Sequence, residues 1–295
     1  MKAWQVLVRR EFWEHRALWL VPLAMSVLWI VIVAFFRIQM GSSQALTVMQ
    51  GRAIVNVIGW GMSVATLLVV TIVVTFYLLD ALYAERRDRS ILFWKSLPVS
   101  DSATVLAKFL VAMVIVPLGA FLAVAVTDLL VRAIIAARGG AGLAMEQASL
   151  WDGRMWWQAQ VLLLIGVVAS MLWYAPLAAY LLVVSAWARR SVTLWAVLPP
   201  LVLVIVERIA LQTSHAWEFF ADRLSPAVPI MRGIDARLSD GTISIDRNEI
   251  VVPGALLQQV DIGAIFLNAP MLLGLAAAVV LLVAAIRLRR YRDDT

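Results

Sequence analysis

The 295-residue sequence predicts an all-α polytopic membrane protein with six transmembrane helices, on three observations. Stretches free of Asp, Glu, Lys, Arg and His recur at 17–36, 54–79, 109–127, 155–188, 192–206 and 263–286. Hydrophobic residues make up 63% of the chain and charged residues 15%, with a mean hydropathy of +0.88. Basic residues crowd into alternate connecting segments. A helix rising 1.5 Å per residue crosses about 30 Å of hydrocarbon with roughly 20 residues. Lipid offers the backbone no hydrogen bonds, so uncharged runs of this length without strand alternation imply helices. A soluble globular protein is excluded by the composition.

The segment 1–16 is too polar to cross a bilayer. It is too rich in Trp4, Leu7, Val8, Phe12 and Trp13 to float free, so it predicts an interfacial elbow helix before span one. Glu11 interrupts its apolar face and is either solvated or kept for a partner. The apolar run that follows is too long for a signal peptide and lacks a small-x-small cleavage site, which favours an uncleaved helix. The expected spans are about 17–36, 54–79, 109–131, 161–186, 192–209 and 264–286. Span four starts near Val161, after an interfacial portion carrying Trp156 and Trp157, and Pro176 is expected to kink it. Pro117 and Pro199-Pro200 mark similar breaks in spans three and five.

With the N-terminus inside, fifteen of the 25 basic residues fall on the short inner segments. That density places both termini in the cytoplasm and accounts for the net charge of +6 without nucleic acid. The segment 207–262 is then extracytoplasmic, with a short helix over 216–224 and a small hairpin over 242–252.

Enzymatic chemistry finds little support. Cysteine is absent, which excludes disulfides and thiolate metal sites, and His15 and His215 are the only imidazoles. His215 and Glu218 have a spacing that could join one metal on a helix, though a solvated loop histidine is the commoner arrangement. No nucleophile elbow, zinc-protease helix or P-loop occurs, so catalytic, cofactor and metal residues are expected to be absent. Asp128 and Arg132, four apart at the outer end of span three, are expected to pair or snorkel at the interface.

The inner loop 80–108 is the most informative polar segment. It holds the charged run Glu85, Arg86, Arg87, Asp88 and Arg89, then an apolar group with Phe93 and Trp94. Pro98 breaks the helix, and Ser100 or Asp101 can cap the next one before Lys108. Such a loop can transmit force from a cytoplasmic partner, or it can be a solvated loop with Phe93 and Trp94 dipping into lipid. The pattern leaves both open.

The run ERRDRSILFWKSLPVSD resembles the inner loop of ABC-2 type transporter permeases, and RREFWEHR is similar to the elbow helix of that family. The resemblance is sharp over 85–101, moderate over 9–16, and elsewhere one of architecture. It implies a permease subunit in the inner membrane of a bacterium. It further implies an exporter built from two permeases, in which two copies of a separate ATPase bind ATP and Mg. A cytoplasmic coupling helix between spans two and three would then contact the ATPase through Glu85, Arg86, Arg87, Asp88, Arg89, Phe93 and Trp94. Arg10, Glu11 and Arg16 of the elbow would support it. The segment 207–262 is longer than the re-entrant hairpin of the polysaccharide and sterol exporters, so their substrate rules do not transfer. The alternative from another class is a membrane anchor or signalling scaffold that docks a regulator and moves nothing.

Overall fold

A computed structural model describes residues 2–35, 48–88, 100–138, 153–225, 228–229, 232, 257 and 260–291. Its elements are α1 (Lys2–Glu14), α2 (Ala17–Phe35), α3 (Val48–Ala81), α4 (Tyr83–Arg87) and α5 (Asp101–Leu110). A π-helical turn (Val111–Ile115) leads into α6 (Val116–Arg138), followed by α7 (Gly153–Trp187) and α8 (Val192–Ala210). Then come α9 (His215–Leu224), α10 (Ile262–Phe266) and α11 (Ala269–Tyr291). No strand occurs among the described residues. Six helical stretches are long and apolar enough to cross a membrane, so the chain is a multi-pass membrane protein.

Four of those stretches outrun the expected spans, span six running from Ile262 to Tyr291. Span two continues to Arg87 through a turn at Leu82, span three runs from Asp101 to Ile135, and span four is one helix from Gly153 to Trp187. The physical reason is burial. The α7 helix is the central element and packs against α11 and α3, so its ends are held by protein as well as by lipid.

Proline effects differ from site to site. Pro117 cannot donate an N–H and crowds the carbonyl four residues back, at Met113, and a π-helical turn over Val111–Ile115 stands just before it. Pro199 and Pro200 free the carbonyls of Trp195 and Ala196 inside α8, and the Tyr180 hydroxyl of α7 lies within reach of both, at 3.3 and 3.2 Å. A neighbouring side chain thus offers one donor, shared between the two carbonyls that the prolines leave free. Pro176 lies within α7, which stays helical on both sides of it.

The spans alternate in direction. The two termini, α4, the start of α5 and the turn between α7 and α8 therefore share one end of the bundle, called here the terminal end. Ser191 makes that last turn with a left-handed φ of 49°. The expected helix at 216–224 corresponds to α9. The expected hairpin at 242–252 lies outside the described residues.

Candidate functional site

At the terminal end, five helices converge on a buried cluster of charges. Helix α1 presents Leu7, Val8, Glu11 and Phe12 to the bundle and leaves Trp4, Val6 and Trp13 exposed. Glu11 therefore points inward, with only 2% of its surface exposed. Lys108, two turns into α5, is still more enclosed, at 1%. The Lys108 ammonium donates to both Glu11 oxygens at 2.9 and 3.0 Å and lies 3.2 Å from a Glu85 oxygen. Tyr77 of α3 donates its hydroxyl to Glu11 at 2.8 Å.

Glu85 sits in the first turn of α4, which exists because the chain bends at Leu82. The buried Ser185 hydroxyl of α7 accepts from the Leu82 and Tyr83 N–H groups at 3.0 and 3.1 Å, holding that bend. Arg86 donates to the carbonyls of Ser185 and Ala188, at the negative end of the α7 dipole. Glu85 is thereby turned into the bundle, where it meets Arg10 of α1 at 3.1 Å, Lys108 of α5 and Arg289 of α11. Arg289 also reaches Asp101 in the first turn of α5 at 3.1 Å, and Arg10 pairs with Glu14 at 2.6 Å. Ser100 caps α5 by accepting from the Ala103 N–H at 3.2 Å, which orients that first turn.

Removing these charges from water costs several kcal/mol per ion, so the arrangement survives only because each is paired and hydrogen-bonded. The partners come from four segments far apart in sequence. Helices α1, α4, α5 and α11 are therefore anchored to one another by charge.

Of the residues expected to contact a partner, Glu85 and Arg86 hold α4 onto the bundle, while Arg87 and Asp88 face outward. Arg87 lies 3.0 Å from Asp88 and 3.9 Å from Asp80, all three of them exposed. Arg89, Phe93 and Trp94 lie outside the described residues. On the elbow segment Arg10 and Glu11 enter the cluster, whereas Arg16 is exposed between α1 and α2. Lys108, Arg289, Asp101 and Tyr77 are members that sequence reasoning did not single out. The available signals were the acid misplaced on α1 and a lysine at the mouth of an uncharged run.

His15 packs its ring edge on Tyr77, with centroids 4.8 Å apart. Burial pushes its imidazole below the usual range; Glu11 opposes that shift and Lys108 adds to it. Glu11, Glu14 and His15 bring ligand atoms within 4.8 Å of one another. Both Glu11 oxygens are already taken by Lys108, and its ammonium would repel a metal ion. Of the other suggested metal pair, Glu218 accepts from the Ser214 hydroxyl at 2.6 Å through one of its two oxygens.

A second polar cluster lies at the opposite end. Arg132 pairs with Asp128 at 3.1 Å and donates to Asn56 of α3 at 2.9 Å, while Gln160 of α7 donates to Asp128 at 3.3 Å. The expected pairing of Asp128 with Arg132 holds, but both are buried among three helices and neither snorkels. Close packing permits this: a Cβ added at Gly59 would fall 2.5 Å from an Asp128 oxygen.

Comparison with family models, curated proteins and solved structures finds no match for this chain.

Proposed function

We propose that this chain is the permease subunit of an ATP-driven transporter of the ABC-2 type, in which a separate ATPase drives substrate movement across the membrane. The carrying observation is the position of Glu85, the first residue of the charged loop run. It is clamped between Arg10, Lys108 and Arg289, so a displacement of the segment after α3 is passed directly to α1, α5 and α11. Force on one cytoplasmic loop then reaches the spans through side chains that have no slack. In this reading α1 is the elbow helix, α4 begins the coupling segment, and the terminal end faces the cytoplasm of a bacterium. Two permeases work with two ATPases that carry ATP and Mg, and the direction is export. Coupling requires contacts that differ between two states of the ATPase, and among the described residues Arg87 and Asp88 are the charged members of the run left outward to make them.

The test is the double variant Arg87→Ala with Asp88→Ala, which leaves the buried cluster intact. The partner ATPase is first identified by co-purification and mass spectrometry, and both proteins are reconstituted in liposomes. The variant is expected to insert and fold normally while losing most of the permease-dependent stimulation of ATP hydrolysis. Unchanged stimulation would remove the coupling assignment. A chain that co-purifies with a regulator and no ATPase would establish the scaffold alternative.

A further inference from the structure

An apolar cavity of about 300 Å³ lies between α3, the π-helical turn and α7, away from both charge clusters. Its walls include Val70, Val74, Ala112, Met113, Leu163 and Val167. On α3 alone it extends from Trp60 to Val74, about 20 Å of helix. The charged group stands at the Val74 end, where Arg223 donates to the Trp173 carbonyl and the next residue, Tyr174, meets Thr75 of α3 at 2.7 Å. At the far end of the slot the Trp60 indole N–H is buried and has no partner among the described residues, which is costly in an apolar setting. Arg223 of α9 also lines the cavity. Its guanidinium stacks 4.0 Å over the Trp173 ring and donates to the carbonyls of Trp173 and Pro270. No carboxylate pairs with it among the described residues, although Arg223 is only 4% exposed; the neighbouring Arg232 is paired with Asp222 at 2.9 Å.

A long apolar slot with a fixed, unneutralised cation at one end is complementary to a single-chain anion. We infer that this cavity binds an amphiphile with one unbranched apolar tail and one anionic head, the head meeting Arg223 and the tail running along α3 toward Val64 and Trp60. The volume stands at the low end of ligand pockets, which suits one tail and not two. The π-helical turn contributes Ala112 and Met113 to the wall, and such turns mark places where a helix has given up regularity for a local role. The head chemistry fits both a fatty carboxylate and a lysolipid phosphate. This inference goes beyond the transport reading and stands without it, because binding is measured on the chain alone.

Purified protein in nonionic detergent is titrated with radiolabelled myristate, with myristyl alcohol and myristylamine as length-matched controls. Competition by lysophosphatidate and by two-tailed phosphatidylglycerol separates the possible sources. One saturable myristate site is expected, at least tenfold tighter than for the alcohol and absent for the amine. Lysophosphatidate is expected to compete and phosphatidylglycerol not to. Arg223→Gln should abolish the preference for acid over alcohol, Arg223→Lys should keep it, and Val70→Phe should reduce binding of both by filling the slot. Equal binding of acid and alcohol to the unaltered protein, or myristate binding unchanged in Val70→Phe, would overturn the assignment. Both readouts stand even where Arg223→Gln fails to fold.

Discussion

The two buried polar clusters, one at each end of the bundle, are built from similar chemistry and differ in reach. At the terminal end Lys108 and Arg289 join acids at positions 11, 85 and 101, so the pairs span most of the chain. At the opposite end Asp128 pairs with Arg132, one turn apart on α6, and the links of this pair to α3 and α7 are amides. The first cluster decides how separate helices sit on each other. The second trims helices that apolar packing has already brought together. Among the described residues the first lies beside an exposed charged pair, Arg87 and Asp88, and is placed to pass on an external push.

The variant that separates the two most strongly is Lys108→Met. It leaves Glu11 and Glu85 buried without their shared cation, and a loss near 5 kcal/mol is expected, the high end for breaking a buried pair. Unfolding midpoints in detergent measure it. Adding Glu11→Gln should recover part of the loss, because the two residues touch and their effects are not additive. Equal losses for the single and double variants would show that the carboxylate is not what Lys108 neutralises.

At the opposite end Arg132→Met should cost less, about 3 kcal/mol, since Asp128 keeps its bond from Gln160. The two variants should also differ in kind. The chain has no native cysteine, so a spin label at Val6→Cys reports on α1 alone. Label mobility should rise in Lys108→Met and stay unchanged in Arg132→Met. A rise in both would erase the distinction drawn here.

The smallest effect is a pH dependence confined to the terminal end. Folded His15 takes up a proton less readily than the unfolded chain, with Tyr77, Glu11, Glu14, Asp80 and Lys108 around it. Unfolding therefore binds a proton as pH falls through about 6.5, so this contribution is complete above that value and declines below it. The decline levels off once pH passes below the folded value. His15→Phe should flatten the dependence between pH 7.5 and 5.5. An identical slope in both proteins would assign the dependence to other groups.

Much of the fold was legible because it follows from local composition. Uncharged runs mark the spans whatever surrounds them, since the bilayer rejects charge at any rotation of a helix. The helix start at Ser100 and Asp101 was readable from its capping residue. The lengths of spans two, three, four and six were not, because a helix end held by protein can outrun the hydrocarbon. The Tyr180 hydroxyl beneath Pro199 and Pro200 was equally invisible, being fifteen residues or more from the carbonyls it meets. In the candidate site, Glu85 to Asp88 were recognisable as a charged run, but which face the partner and which face the bundle was not. Glu85 and Arg86 point inward only because Ser185, a residue of no evident interest, fixes the bend at Leu82.

By itself the sequence determined that this chain lives in a membrane as a helical bundle, because the cost of burying charge in lipid depends on residue type and run length alone. It also displayed the anomaly of Glu11, an acid on an apolar face. Only tertiary structure decided that Lys108 and Tyr77 resolve that anomaly, and that an apolar slot ends on Arg223. Pairing energies depend on separations of a few ångströms, and those are set by how whole helices pack.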